Sequence, residues 1–182
     1  VVTDADLPVA DERVADGCGS CRRCVDACPT GAIVAPGVID ARRCLAWLVQ
    51  AAGDFPEAHR AALGDRIYGC DDCQDVCPVN RRSAAADGGP AAEADAVDRV
   101  DLVALLGADD ESLLAAHGRW YIPERDPRYL RRNALVALGN SGRGDDPAVI
   151  DALVAHRDGD DDLLARHATW ALDRLATTAG AG

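Results

Sequence analysis

The second half of the chain carries apolar residues at the spacing of amphipathic helices, separated by short polar segments. Most of these apolar segments begin at Asp or Asp-Pro, and several end at Gly. Asp is a favoured helix N-cap, Pro fits the first helical turn, and Gly is a common terminator. The pattern predicts helices at "DLVALLG", "DESLLAAHG", "DPRYLRRNALVALGNSG", "DPAVIDALVAHR" and "DLLARHATWALDRLA".

The third and fifth of these helices have the clearest apolar stripes. The third has Asp126 as its predicted N-cap, Pro127 as its first residue and Gly139 as its end. An Asp-Pro start recurs about 20 residues later, at Asp146 and Pro147, which suggests stacked helical hairpins of the HEAT type. The stripes are Leu130, Ala134, Leu135 and Leu138 in the third helix, and Leu164, Ala168, Ala171, Leu172 and Leu175 in the fifth.

The first half has shorter apolar runs, such as "GAIV" and "GVID", and we expect a low content of β-strand. "DARRCLAWLVQAA" predicts a helix with Asp40 as N-cap, and "DFPEAHRAALG" predicts a short helix that ends at Gly64. The expected fold is therefore mainly α. It has an irregular lead-in at 1–17, a cysteine-rich domain at 18–82, a Gly- and Pro-containing linker at 83–97 and a helical domain at 98–182.

Composition narrows the classes of function. The chain has 182 residues and a formal net charge of −12, which argues against indiscriminate nucleic-acid binding but leaves room for a local basic patch. No apolar run approaches the roughly 20 residues that span a bilayer, and no export signal is visible, so we expect a cytoplasmic protein. In that reducing compartment, the eight cysteines between Cys18 and Cys77 are expected to bind metal rather than form disulfides.

The cysteines form two ferredoxin-type runs. Cys18, Cys21, Cys24 and Cys28 have the spacing C-x2-C-x2-C-x3-C-P, which is that of bacterial ferredoxins. In two-cluster ferredoxins the fourth cysteine of a run ligates the other cluster. That rule predicts two 4Fe–4S clusters in a ferredoxin-like α+β module, with Cys44 completing the second site. The ligand sets are Cys18, Cys21, Cys24 and Cys77 for cluster 1, and Cys28, Cys44, Cys70 and Cys73 for cluster 2.

Two other uses of these thiols stay open from spacing alone. Four thiolates also hold structural zinc, often through C-x2-C pairs, although consecutive cysteines of the first run would crowd a single tetrahedral ion. A disulfide framework is the other alternative, and the absence of an export signal disfavours it.

Several segments together resemble the C-terminal half of bacterial epoxyqueuosine reductases, a family of queuosine tRNA modification. They are "TDADLP", "CGSCRRCVDACPTGAI", "DARRCLAWLV", "LGDRIYGCDDCQDVCPVN" and "YLRRNALVALGN", which span nearly the whole chain. The resemblance implies reduction of epoxyqueuosine to queuosine in tRNA. It also implies two 4Fe–4S clusters in a ferredoxin-like module, followed by a HEAT-like module that helps to hold tRNA.

The same resemblance implies cobalamin in the full-length family, bound by an N-terminal domain that also supplies the proton donor. This sequence begins about where that domain ends, so we expect no catalytic residue here and no cobalamin held by this chain alone. Cluster 2 would face cobalamin, with Asp71 and Asp72 near the corrin, unless they are solvated acids in a turn. Ala46 stands where the family usually has a small hydroxyl residue. The expected partners are a separate cobalamin-binding domain and an external ferredoxin or flavodoxin, with the chain itself a monomer.

A local basic patch lies between Arg119 and Arg143, where six arginines face only Glu124 and Asp126. Arginine forks suit phosphate, and Trp120 beside them could pack on a sugar or base, as could Tyr121. With the family resemblance, the patch predicts tRNA contact. The alternative is a helix face paired with nearby acids, with the aromatic residues in the core. The candidate tRNA-binding residues are Arg119, Arg128, Arg131 and Arg132.

Two functions from different classes follow. The first is the electron-relay and tRNA-binding portion of an epoxyqueuosine reductase. The second is a stand-alone two-cluster 4Fe–4S ferredoxin-type electron carrier with a helical module that docks a partner. A third, a scaffold with structural metal, is the weakest of the three.

Overall fold

The computed structural model describes residues 3–6, 12, 17–81 and 99–179. The predicted lead-in at 1–17 falls mostly outside these residues, and the predicted linker at 83–97 falls wholly outside them. Helices dominate the described chain beside one two-stranded sheet, which confirms the expectation of a mainly α fold. The exact domain boundaries stay predictions.

Short elements surround the cysteines in the first part of the chain. The two strands form an antiparallel hairpin in which Ile33 lies opposite Ile39. Gly31 precedes the hairpin and Gly37 turns it, with φ of +58° and +72°, a region that glycine adopts without strain. The elements are α1 (Arg23–Ala27), β1 (Ile33–Ala35), β2 (Val38–Ile39), a 3₁₀ helix (Ala41–Arg43), α2 (Leu45–Leu48), α3 (Glu57–Leu63) and α4 (Asp72–Asp75).

Longer helices form the second part, and their starts follow the Asp signals of the sequence. The side chains of Asp101, Asp109 and Asp146 each accept a backbone N–H of the first helical turn. The helix capped by Asp109 has its N-cap one residue earlier than the sequence pattern indicated. The helices are α5 (Leu102–Gly107), α6 (Asp110–His117), α7 (Arg128–Ser141), α8 (Pro147–Arg157) and α9 (Asp162–Ala179).

Helix α7 is the centre of the fold and packs against α3, α5 and α9. Its predicted stripe is buried, from Leu130 to Leu138, and so is the stripe of α9 apart from half-buried Leu172. These stripes are therefore confirmed. Whether the helices repeat as HEAT-type hairpins stays a prediction.

Two helix boundaries were predicted wrongly. Gly139 does not end α7, because the helix continues to Ser141 and Gly142 caps it. Gly139 instead allows a close helix contact, since a Cβ there would lie 2.7 Å from the Cα of Ala171. The helix expected after Asp40 is broken at Cys44, whose ψ of 118° is extended. Asp40 does cap the 3₁₀ turn before the break, by accepting the N–H of Arg42.

Polar side chains of α7, Arg132 and Asn133 among them, join the second part of the chain to the first. Arg132 has no exposed surface, and its guanidinium donates to carbonyl oxygens of the segment after Cys44, at 2.6 to 3.3 Å. Asn133 accepts from Arg132 and donates to the carbonyls of Val49 and Ile67. Burial lowers the pKa of Arg132 to about 10, so the side chain stays charged at neutral pH. The carbonyls bound by Arg132 belong to Leu48, Val49, Ala51 and Gly53.

His167 on α9 makes a second buried link, although the sequence gave no reason to assign it a role. Its Nδ1 lies 2.7 Å from the carbonyl of Leu163 and must donate there, so Nε2 accepts the N–H of Phe55 at 3.1 Å. Arg60 also reaches Nε2, at 3.2 Å. Burial, helped by the charges of Arg60 and Arg132, lowers the pKa of His167 to about 4 although the Leu163 hydrogen bond raises it.

We expect Arg132→Met to destabilise the protein by about 4 kcal/mol or more, because several buried carbonyls lose a charged donor at once. Urea unfolding followed by far-UV circular dichroism measures this. The matched control is Arg143→Met, whose side chain is 76% exposed and pairs with Asp145. The control should leave the free energy of unfolding almost unchanged, because an exposed ion pair is screened by water and salt. Equal losses in the two variants would contradict a special role for Arg132.

We expect the free energy of unfolding to fall as the pH drops from about 6.5 towards 4, because the unfolded chain protonates His167 and the native protein does not. Protonation of His167 in the unfolded chain lowers the free energy of unfolding by about 3 kcal/mol across that window. Its signature is that the stability gap between the parent and His167→Gln narrows by about 2 kcal/mol between pH 7 and pH 5. The same change at His59 is the control, and a gap that stays constant for His167→Gln would refute the link.

Candidate metal centre

Thiols of both cysteine runs line one cavity of about 320 Å³. Cys18 and Cys21 stand at its exposed side, and Cys24 comes from α1. The second run contributes Cys73 from α4 and Cys77 from just beyond it. Arg23 and Gln74 also line the cavity, and apolar side chains make up most of the rest of its wall. These apolar residues are Ile33, Ile39, Pro78 and Val79.

A second, smaller cavity of about 30 Å³ lies among four thiols that are all partly buried. These are Cys28 at the end of α1, Cys44 at the break before α2, Cys70 before α4, and Cys73. Its other walls are mainly apolar. The structure thus brings Cys44 to the partners that ferredoxin spacing predicted for it, while the ligand sets themselves stay predictions.

The break at Cys44 follows from how its segment is held against the first run. The Thr30 hydroxyl donates to the carbonyl of Arg43 at 2.5 Å, and the Arg43 guanidinium donates back to the carbonyl of Thr30 at 2.7 Å. This reciprocal pair fixes residue 43 beside the chain that follows Cys28. A continuous helix from Asp40 would not keep both hydrogen bonds, so the chain extends at Cys44 before α2 begins.

Burial and local hydrogen bonds set different pKa values for the thiols of the smaller cavity. Burial would raise the pKa of Cys28, but N–H groups that follow it lower the pKa overall, including that of Ala32 at 3.2 Å from Sγ. Burial raises the pKa of Cys70 and of Cys73, and negative charge on Cys44 raises both further. Four thiolates at this site would therefore repel one another, which favours a cation or cationic cluster among them.

The two cavities share a wall made of Cys73, Ile33 and Ile39. Groups bound in the two cavities would consequently be neighbours, separated by a few side chains. In the described residues, no three His, Cys, Asp or Glu side chains are grouped to hold one metal ion. The donor set of eight thiols around two adjoining cavities fits a pair of 4Fe–4S clusters.

The predicted cobalamin-facing acids differ in their surroundings. Asp72 forms an ion pair with Arg66 at 2.5 Å and lines the smaller cavity beside Cys70. Asp71 is exposed and precedes α4. A corrin contact for either residue stays a prediction. At Ala46 the side chain is half-buried and the carbonyl accepts from Gln50.

The basic patch presents less positive charge to solvent than the sequence predicted, because some of its arginines are buried or paired with aspartates. The prediction that Arg132 contacts tRNA is wrong, because its side chain is fully buried and cannot reach a phosphate. Arg131 pairs with Asp110 at 2.6 Å and is 14% exposed, while Arg128 pairs with Asp126 and is 45% exposed. Arg119 is exposed.

The aromatic residues of the patch divide in the same way. Trp120 stacks on the rings of Tyr68 and His117, each with its centroid 4.7 Å away, and is partly buried against the helical core. Its contact with a sugar or base stays a prediction. Tyr121 is 64% exposed, and its N–H donates to the Tyr68 hydroxyl at 2.8 Å. Of this pair, Tyr121 is the more exposed to an external ligand.

Comparison with known proteins defines the class of the first part. Residues 17–80 match the family described as "4Fe-4S double cluster binding domain". The cofactors of this part are two 4Fe–4S clusters, as the cysteine spacing predicted, and the zinc and disulfide alternatives are set aside.

The particular resemblance read from the sequence is confirmed over nearly the whole chain. The chain is 40% identical to the epoxyqueuosine reductase of Vibrio cholerae over 95% of its own length and 46% of the relative. It is also 40% identical to that of Escherichia coli, over 94% and 45%. A solved epoxyqueuosine reductase "with a tRNA-TYR epoxyqueuosine-modified tRNA stem loop" superposes with a TM-score of 0.77 at 31% identity, covering 91% of this chain and 44% of that one. The chain thus spans about half the length of the relatives that it matches. Within the described residues, no helix has the length and hydrophobicity that crossing a membrane requires.

We expect Cys44→Ala to lower bound iron from about eight to about four atoms per chain, because one of two four-iron clusters loses a ligand. Iron and sulfide analysis of anaerobically reconstituted protein measures this, and EPR of the reduced protein should keep one of two signals. The control is Ala46→Ser on the same helix, which should keep all the iron. Full iron content in Cys44→Ala would contradict the ligand assignment.

Proposed function

We propose that this chain is the electron-relay and tRNA-binding portion of an epoxyqueuosine reductase. The observation that carries the proposal is that eight thiols line two adjoining cavities in a domain that α7 joins to a helical part. The similarity to a reductase solved with a tRNA stem loop supports the same conclusion.

The residues of the first part hold and separate the two redox sites. When bound, 4Fe–4S clusters accept and pass on single electrons. Cys18, Cys21, Cys24 and Cys77 are proposed to hold one cluster, and Cys28, Cys44, Cys70 and Cys73 the other. Ile33 and Ile39 line both cavities and place apolar side chains between the two sites, which lowers the local polarity there.

The helical part is proposed to stack in HEAT-like hairpins and to contact tRNA. The candidate surface comprises Arg119 and Arg128 with exposed Tyr121, and Arg131 at its edge. These arginines are exposed or partly exposed, and phosphate can replace the carboxylates that now pair with Arg128 and Arg131. A base can stack on the open ring of Tyr121.

The complete reaction is proposed for this chain together with a cobalamin-binding domain, supplied by the same or another polypeptide. Conversion of the epoxide to the alkene of queuosine takes up two electrons and two protons and releases water. This chain would supply the electrons one at a time, from an external donor. The proton donor is expected on the cobalamin-binding domain, and Asp71 and Asp72 are proposed to lie near the corrin.

The test is binding of an epoxyqueuosine-type tRNA anticodon stem loop at low salt, measured by fluorescence anisotropy. We expect Arg119→Ala/Arg128→Ala to weaken binding about tenfold and to reduce the salt dependence by about one to two phosphate contacts. Arg42→Ala/Arg157→Ala removes two exposed arginines elsewhere and is the matched control. A parent protein that binds two clusters but no tRNA would overturn this function in favour of the stand-alone electron carrier.

A further inference from the structure

The larger thiol-lined cavity opens to solvent on one face of the first part. Of the eight cysteines, Cys18 and Cys21 are exposed, whereas the other six are partly buried. Both exposed thiols belong to the larger cavity, and neither lines the smaller one. An external protein can therefore approach the larger site most closely, at the loop that carries Cys18 and Cys21.

This face carries two arginines that form no ion pair among the described residues. Arg22 and Arg23 follow Cys21 directly, both are exposed, and neither has a carboxylate partner among the described residues. By contrast, Arg143 and Arg157 each lie within 2.8 Å of an aspartate. Residues 17–24 and 33–39 contain no Asp or Glu, in a chain with a net charge of −12, and exposed Asp26 of α1 is the acid nearest to Arg23 along the chain.

The outer face of the β1–β2 hairpin adds exposed apolar surface. Val34 is 54% exposed and Val38 is 52% exposed, and neither lines a thiol cavity. A small apolar area bordered by charge is the usual composition of a protein docking site. We name residues 17–23 and 34–38 together the entry face.

We propose that the entry face docks a small acidic one-electron carrier protein of the flavodoxin type, which delivers electrons at the site lined by Cys18 and Cys21. The proposal rests on the proposed relay function and adds the place where electrons enter it. The net charge of −12 repels an acidic donor from most of the surface, whereas Arg22 and Arg23 attract it to this face.

The transfer itself balances without any bond being made or broken. The anionic flavin hydroquinone of the donor loses one electron and becomes the neutral semiquinone. The cysteines of this chain would hold a 4Fe–4S cluster that accepts this electron, from the 2+ to the 1+ level. The entry face only has to hold the two proteins together, so charge affects association rather than chemistry.

The experiment compares two double charge reversals that change the net charge equally. Arg22→Glu/Arg23→Glu alters the entry face, and Arg143→Glu/Arg157→Glu alters two exposed arginines of the helical part. Binding of oxidised flavodoxin to each reconstituted chain is measured by biolayer interferometry at low and high salt. We expect the Kd to rise about tenfold or more for the first variant at low salt, and less than about twofold for the control.

A stopped-flow measurement gives the second readout. Flavodoxin hydroquinone should reduce the first variant about tenfold more slowly than the parent, while dithionite, which needs no protein docking, should reduce both equally. Iron content is measured for every variant. If the charge reversal costs iron, Val34→Ser/Val38→Ser replaces it and is expected to weaken flavodoxin binding as well.

Several outcomes would overturn the proposal that the entry face docks the donor. They are unchanged flavodoxin affinity in both entry-face variants, an equal loss in the control, and loss of tRNA affinity instead of donor affinity. A chain that binds two clusters and tRNA but is insensitive to these changes refutes the docking face alone. A chain that binds no tRNA but loses flavodoxin affinity in Arg22→Glu/Arg23→Glu refutes the tRNA role and supports the docking face.

Discussion

The position of the Cys44 thiol depends on one buried cation, Arg132, together with the Thr30–Arg43 hydrogen bonds. Helix α2 is only four residues long, and the carbonyls that follow it have few partners within their own segment. Arg132 supplies a planar fork of donors to them across 79 to 84 residues of sequence. A guanidinium can serve several carbonyls at once and stays charged even where burial lowers its pKa, which lysine would not do as well. Because Cys44 lies directly before α2, the position of its thiol is set in part by a side chain from the other part of the chain.

Contacts between distant parts of the chain explain why some features could be predicted from the sequence and others could not. Cysteine spacing and Asp caps are local signals, so the two thiol sites and the helix starts at Asp101 and Asp146 were within reach. Arg132, His167 and Gly139 were not, because their roles depend on what packs against them. His167 meets Phe55 at a separation of 112 residues, and Gly139 meets Ala171 of another helix. Within "RRNALVALGN", Arg131 and Arg132 were predicted to bind phosphate. Arg132 is instead buried and makes contacts inside the fold.

The two redox sites also share residues with each other. Cys73, Ile33 and Ile39 separate the cavities, so moving the hairpin would alter both. The hairpin is itself fixed at its two ends, by the N–H of Ala32 on Cys28 and by the Thr30–Arg43 pair. Its outward side chains Val34 and Val38 are exposed and line neither cavity, so they are available to the docking partner that we propose.

An acidic chain can still bind two anionic partners, because charge acts locally. At physiological ionic strength the Debye length is about 8 Å, so distant carboxylates contribute little to the potential at an arginine. The count of arginines along a segment is therefore a poor guide, as the patch around Arg128 illustrates, where Asp126 and Asp161 lie close by. What matters is whether an exposed guanidinium already has a carboxylate at its side. By that criterion Arg22 and Arg23 are the better-placed cations, and any anion that binds near Arg128 must first displace an internal partner.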